Sequence, residues 1–425
     1  MKFRFLADDF TGASDVLLQC RKNGMDAAIV ANLDSDTRPE SFDGIASTAR
    51  SMSPAQLSEY LPSVLESFHQ IGTDILLYKV CSTFDSSPEI GSIGHTVTLI
   101  RESMPVAGPV TVVPAQPGFG RFTAFGHHFS ASGDEVYRLD RHPVMRKHPT
   151  TPMRESDLRR ILAEQGIDPT RIAHIPITDL RSQQARLRQL LAEGDNLDVI
   201  VVDAIEETDL DIVSRDVMAA RQDTDQLIPI VGSGGIAGAL ARAYGDEQVL
   251  QPRAFASGAA LVLSGSRSPV TQGQIETALS SGWEGISLDR DELLTQRLDS
   301  AAELGRIVEL LQADRSVVVS IDDNTSSGTE ADPTELARAS GRLFANLIRT
   351  SVEQIPHCRI AVLGGDTSSW TVSNLNPSRI QVAAAFVQAG PILNIQAPGI
   401  PSYTPFLLKG GQVGAPDTLT KFAAL

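Results

Sequence analysis

Short apolar runs, each closed by small or polar residues and followed by a helix-like pattern, recur along the chain. They lie at Asp74 to Lys79, Val110 to Pro114, Asp198 to Asp203, Leu227 to Gly232, Ala260 to Gly265, Ser316 to Ser320 and Arg359 to Gly364. Unbroken runs of four or five apolar residues, rather than alternation, suit strands covered on both faces, as in parallel sheets between helices. An earlier run, Phe3-Arg4-Phe5-Leu6, stops at two adjacent acids, Asp8 and Asp9, and predicts a strand whose following helix begins near Gly12 or Ala13. Amphipathic spacing predicts further helices at Glu155 to Glu164 and Thr334 to Thr350. The fold class is therefore α/β.

At 425 residues the chain exceeds the roughly 250 at which single cores stop growing, so two domains are expected, each a largely parallel sheet flanked by helices. The polar stretch Tyr244 to Ser257, with Pro252, puts the junction there and gives domains 1–245 and 246–425. No internal repeat or low-complexity tract interrupts this plan.

Composition narrows the partners. Hydrophobic content of 42% with 21% charged residues is that of a globular chain, and no run reaches the roughly 18 apolar residues of a membrane span. Acids near the N-terminus, at Asp8 and Asp9, argue against an export signal, so the cytoplasm is the expected location. A net charge of −16 disfavours nucleic acid, yet leaves room for a nucleotide held locally by helix N-termini, amides and Mg²⁺. Cys20, Cys81 and Cys358 have no ligand or disulfide spacing and are expected to be free thiols.

In open parallel sheets ligands sit at the carboxyl ends of strands, so the loops there carry the chemistry. Three turns in the second half are rich in Gly and Ser: Ser264-Gly265-Ser266-Arg267-Ser268, Gly364-Gly365-Asp366-Thr367-Ser368, and Lys409-Gly410-Gly411-Gln412-Val413-Gly414. Each is either a tight strand-to-helix connection or a place where backbone N–H groups reach phosphate oxygens. None matches a Walker A loop or a dinucleotide fingerprint. In the first half, Lys79 to Pro88 offers one cation, hydroxyls from Ser82 and Thr83, and the carboxylate of Asp85. That set fits a small polyhydroxylated anion, or else an ordinary Ser-rich turn. Pro114 to Arg121 and Gly126-His127-His128 form another strand-end region. Adjacent histidines on a strand face opposite sides and make a poor metal pair, so hydrogen-bonding roles are expected. His148, before Pro149, either caps backbone or touches substrate.

Ala7-Asp8-Asp9-Phe10-Thr11-Gly12-Ala13 resembles the N-terminal signature of the four-carbon acid sugar kinase family, which includes threonate, erythronate and 3-oxo-tetronate kinases. Further blocks follow in the family's order: 79–86, 114–121 with Gly126-His127, 148–153, Gly232-Ser233-Gly234, and the three glycine turns of the second half. Arg267 stands where the family commonly has Cys, and 88–94 is one residue longer than its usual pattern. The resemblance implies ATP- and Mg²⁺-dependent phosphorylation of a hydroxyl on a short sugar acid, within carbohydrate catabolism. The first domain would bind the sugar acid, the second ATP, with the active site in the interdomain cleft; a homodimer is compatible with it. By position, Ser264, Ser266, Ser268, Gly364, Gly365, Asp366, Thr367, Gly410 and Gly411 would contact nucleotide.

Phosphoryl transfer asks for positioning and charge neutralisation more than covalent chemistry. Asp9, with Asp8 as its alternate, is expected to orient and deprotonate the acceptor hydroxyl, while the other acid organises the helix start. Lys79 would meet the substrate carboxylate, with Ser82, Thr83, Asp85, Arg121 and His127 on hydroxyls or the transferring phosphate. Asp366 would either act through Mg²⁺ waters or cap its helix; no metal-ligand set is assigned. Two other readings keep the architecture: a non-catalytic sugar-acid or nucleotide sensor, and a nicotinamide-dependent oxidoreductase, which the absent dinucleotide fingerprint disfavours.

Overall fold

The computed structural model describes residues 1–33, 41–148, 150–182, 185–245, 255–295, 297, 300–322 and 332–425. Pro149 and residues 246–254 of the expected junction, Pro252 among them, lie outside the described residues. The chain divides into two compact units, Met1–Ala28 with Asn32–Val249, and Ile29–Ala31 with Leu250–Leu425.

The strands, in chain order, are β1 (Phe3–Ala7), β2 (Ile29–Val30), β3 (Gly44–Ala46), β4 (Ile75–Lys79), β5 (Val110–Val113), β6 (Arg121–Ala124), β7 (His127–Ser132), β8 (Glu135–Arg138), β9 (Ile172–Ile175), β10 (Val199–Val202) and β11 (Ile228–Gly232). Then come β12 (Ala260–Ser264), β13 (Glu284–Asp289), β14 (Val317–Asp322), β15 (Arg359–Leu363), β16 (Arg379–Val387), β17 (Gly390–Gln396) and β18 (Pro405–Lys409). In the first unit the sheet order is β3-β1-β4-β11-β5-β10-β9, with every pair parallel. Every residue of β1, β4, β5, β10 and β11 is buried, the Arg4 of β1 included, as in strands covered on both faces. β6, β7 and β8 form a separate antiparallel ribbon.

In the second unit β13-β14-β12-β15-β18 is parallel, and β17, β16 and β2 continue the sheet antiparallel. Phe406, Leu407 and Leu408 make β18 as buried as its neighbours. Among the described residues no helix is long and apolar enough to cross a membrane. Cys20 and Cys358 are buried, Cys81 half-buried, and all three are free.

Helix boundaries differ from the sequence pattern for local reasons. The first helix, Phe10–Lys22, begins before Gly12 because Asp9 caps it. The helix expected from Glu155 begins at Leu158: Glu155 Oε1 accepts the N–H groups of Ser156 and Asp157, and Asp157 then caps Leu158–Glu164. Pro at its first position and Asp332 as its cap start the long helix Pro333–Gln354, which extends past Thr350.

Candidate active site

Parallel register brings the carboxyl ends of the first unit's strands level: Ala7 lies opposite Ala46 and Lys79, and Gly232 opposite Lys79 and Val113. The loops that leave these strands are therefore gathered at one edge. After β1 come Asp8 and Asp9, 3% and 1% exposed. Asp9 Oδ1 accepts the Gly12 N–H at 2.7 Å, so the helix cap is Asp9. Such a cap contributes about 1 kcal/mol. After β3 comes Arg50, whose guanidinium binds both acids. Burial raises Asp8 to about 6, a rise that Asp9 assists and that Arg50 and Lys79 oppose.

Lys79 ends β4 almost fully buried, its Nζ donating to the Val80 carbonyl at 2.8 Å. A Cβ at Gly12 would lie 2.5 Å from Asp9 Oδ1 and 2.8 Å from Lys79 Nζ, so only glycine lets cap and lysine share this corner. Downstream, Thr83 Oγ1 donates to Asp85 Oδ1 at 2.7 Å. Burial would raise the Asp85 carboxyl, but His148, Arg50 and the Thr83 hydroxyl outweigh it and hold the group below its usual range. His148 Nδ1 accepts the Thr151 N–H at 3.1 Å, so it caps backbone as well as facing Asp85. The Ser82 carbonyl accepts from His128 Nε2 at 2.7 Å, which leaves Nδ1 to accept from Thr123 Oγ1 at 2.9 Å. Burial pushes that neutral ring down to about 4.

Arg121 is buried over the Phe119 ring, 4.6 Å from its centroid, and donates from Nη1 to the Phe119 carbonyl at 2.8 Å. His127 is half-buried, hydrogen-bonded to Ser156 Oγ at 2.9 Å and set beside Asp157, away from the acids after β1. The histidine pair splits across its strand as expected, His128 in and His127 partly out. Among the described residues, Thr11 Oγ1, Gln116 Oε1 and Arg121 Nε are buried without a hydrogen-bond partner.

The second unit repeats the logic. Ser264, Leu363 and Lys409 end β12, β15 and β18 side by side, so the three glycine turns converge. The contacts are close: a Cβ at Gly411 would lie 2.8 Å from Ser266 Oγ, and one at Gly364, where φ is +110°, would lie 3.3 Å from Ser266 N. Ser268 caps the helix Pro269–Ser280 by accepting the Val270 N–H and also accepts from Gln412 Nε2. Gly365, Asp366 and Thr367 open the helix Gly365–Leu375, whose cap position is Gly364. Thr271 Oγ1 donates to the Gly411 carbonyl at 3.1 Å. Beneath them Lys409, fully buried, donates to Thr271 Oγ1 and the Gly410 carbonyl, and burial lowers it to about 8.

The placement of Arg50 and the burial of the Lys409 ammonium are not legible in the local sequence. Arg50 lies in Ser47-Thr48-Ala49-Arg50-Ser51, which carries no glycine or motif. Its one signal is that two buried acids require a buried cation.

Residues 3–240 match the family described as "Sugar-binding N-terminal domain", and residues 261–419 that described as "Nucleotide-binding C-terminal domain". A 3-oxo-isoapionate kinase of Paraburkholderia graminis is 33% identical over 96% of this chain and 91% of that protein. The chain belongs to the four-carbon acid sugar kinase family. As a family member it is a sugar-acid kinase, a phosphotransferase with an alcohol group as acceptor, and kinase chemistry implies ATP. Another relative, a 3-oxo-tetronate kinase of Salmonella typhimurium, is 28% identical over 97% of this chain and 96% of that protein. The fold recurs in a solved structure from Salmonella typhimurium LT2 (TM-score 0.75, 24% identity, 99% of this chain and 98% of that one). It recurs again in Haemophilus influenzae HI1011 (TM-score 0.67, 21% identity, 99% of each). Nothing in these relatives supports a sensor without catalysis.

Proposed function

We propose that this kinase phosphorylates a hydroxyl of a short 3-oxo sugar acid of the tetronate or isoapionate type, with Asp8 as the general base. The observation that carries the reading is the pair Asp8 and Asp9 at the end of β1, beside Lys79, in a chain whose similarity to a 3-oxo-isoapionate kinase spans almost its whole length. Asp9 spends one oxygen on the helix cap, and Asp8, raised to about 6, is matched to accept a proton near neutral pH. This reverses the order expected from sequence, in which Asp9 came first.

In this mechanism the acceptor O–H gives its proton to Asp8 as its oxygen bonds the γ-phosphorus of ATP. The bond from that phosphorus to the bridging oxygen breaks, and ADP leaves. Lys79 meets the substrate carboxylate. Ser82, Thr83, Asp85 and Arg121 take its hydroxyl and oxo groups, with the unspent Thr11 Oγ1, Gln116 Oε1 and Arg121 Nε as further partners on small local shifts, while His127 stays with Ser156. Ser264, Ser266, Ser268, Gly364 to Thr367, Gly410 and Gly411 hold the nucleotide, their amides and hydroxyls facing phosphate oxygens. An Mg²⁺ would come with the nucleotide, and Asp366, in the first turn of the helix Gly365–Leu375, would be the carboxylate to hold it. Such an ion supplies charge neutralisation.

A screen of 3-oxo-isoapionate, 3-oxo-tetronate, threonate and erythronate with ATP and Mg²⁺ is expected to release ADP only when an acid is present, and fastest with a 3-oxo acid. Failure of all four acids to stimulate ADP release would overturn the reading.

Lys409 yields a separate expectation. With its ammonium lowered to about 8, an anion bound in the turns above favours the charged form. Nucleotide binding between about pH 8 and 9 should then take up a proton. Calorimetry in two buffers of different ionisation enthalpy measures this, and identical heats in both would exclude it.

A further inference from the structure

The guanidinium of Arg50 forms two forks at once. Nε and Nη2 donate to Asp8 Oδ2 and Oδ1 at 3.1 and 2.7 Å, while Nη1 and Nη2 donate to Asp9 Oδ2 and Oδ1 at 2.9 Å each. Its backbone is fixed as tightly. The Arg50 N–H donates to the Asp8 carbonyl at 3.1 Å, and Ser47 N–H to that of Ala7 at 3.0 Å. Behind it Gly91, with φ +60°, allows an approach in which a Cβ would lie 2.5 Å from the Arg50 carbonyl oxygen. Gly91 lies in the 88–94 stretch whose length departs from the family pattern.

We infer that Arg50 is a positioning residue for the transfer: its double fork fixes the Asp8 carboxylate for the acceptor hydroxyl while Asp9 stays on the helix cap. This rests on the kinase reading above. Two adjacent buried acids cannot both stay ionised without a cation between them, and a shared proton would occupy the base. The groups facing Asp8 are Arg50, Asp9 on its own segment, and Lys79 and Tyr78 from β4. Burial holds the Tyr78 hydroxyl neutral, so without Arg50 only Lys79 would offset the second carboxylate. A lysine at position 50 would return a point charge but not the planar fork, so substitution separates charge from geometry.

Three measurements test this on the full-length protein. Arg50→Ala is expected to move the acid limb of kcat/KM up by about 1–3 pH units, with partial rescue by guanidinium below denaturing concentrations. Arg50→Lys is expected to hold that limb near its original place while kcat falls about 100-fold, the scale of a small misplacement. Infrared or NMR titration of labelled aspartate reads the Asp8 shift in Arg50→Ala without turnover, so it stands even if no sugar acid is phosphorylated. An Arg50→Ala protein that folds but loses activity equally at every pH, or an unmoved aspartate titration, would overturn the inference. So would an Arg50→Lys protein within about threefold of the original kcat, which also decides the matter if Arg50→Ala does not fold.

Discussion

Asp8→Asn is expected to lower kcat by about 10²- to 10⁴-fold, the range of a lost general base, with the KM for ATP nearly unchanged. Asparagine matches aspartate in size but turns one acceptor of the Arg50 fork into a donor, so thermal unfolding of the variant is measured beside kcat to separate lost proton acceptance from the lost fork. Asp9→Asn is the contrasting variant. Asparagine still offers Gly12 a capping oxygen, so the helix start is kept and the effect on kcat is expected to be smaller than that at Asp8. The pH profile carries the same assignment. The active form has Asp8 ionised, which holds above its value of about 6 and is lost below it, so kcat/KM should fall with pH through that region. Asp8→Asn should abolish this limb along with most of the rate. A folded Asp8→Asn protein with near-normal kcat, beside an inactive Asp9→Asn protein, would return the base to Asp9.

The parallel cores were legible because strands covered on both faces must be apolar throughout. Each run from Asp74 to Lys79 through Arg359 to Gly364 became a strand within a residue or two of its expected bounds. β18 was missed although Phe406-Leu407-Leu408 is equally apolar, since it opens on Pro405. Ile29–Val30, assigned to the second unit through pairing with β16, could not be assigned from local pattern, because two residues carry no period. At the site, glycine turns and acids were readable since few residues can replace them. Arg50 was not, because its partners lie more than forty positions earlier and only the parallel register of β1 with β3 brings them together. Lys409 is similar: its sequence neighbours announce a glycine turn, while its buried ammonium and lowered proton affinity depend on how β15 and β18 end beside each other.

Gly265→Ala is expected to raise the KM for ATP about 5- to 100-fold while leaving the affinity of the first unit for sugar acid unchanged. A Cβ at Gly265 would lie 2.1 Å from Thr367 Oγ1 and 3.0 Å from both Thr367 Cβ and Cγ2, so rotating the threonine exchanges one clash for another. Thr367 is buried in the first turn of the helix Gly365–Leu375, where its carbonyl accepts from Thr371 Oγ1 at 2.7 Å. The strain must therefore spread into the β12 or β15 turn, and both turns are assigned to nucleotide. Overpacking of this kind costs about 1–3 kcal/mol, up to roughly a hundredfold in affinity. Because the obstacle is the Thr367 side chain, Gly265→Ala with Thr367→Ala should bind nucleotide more tightly than Gly265→Ala alone, a non-additivity that only contacting residues produce. Calorimetric titration of ADP into the four proteins of this cycle measures it. Strictly additive losses would mean that the turn meets nucleotide through some other contact.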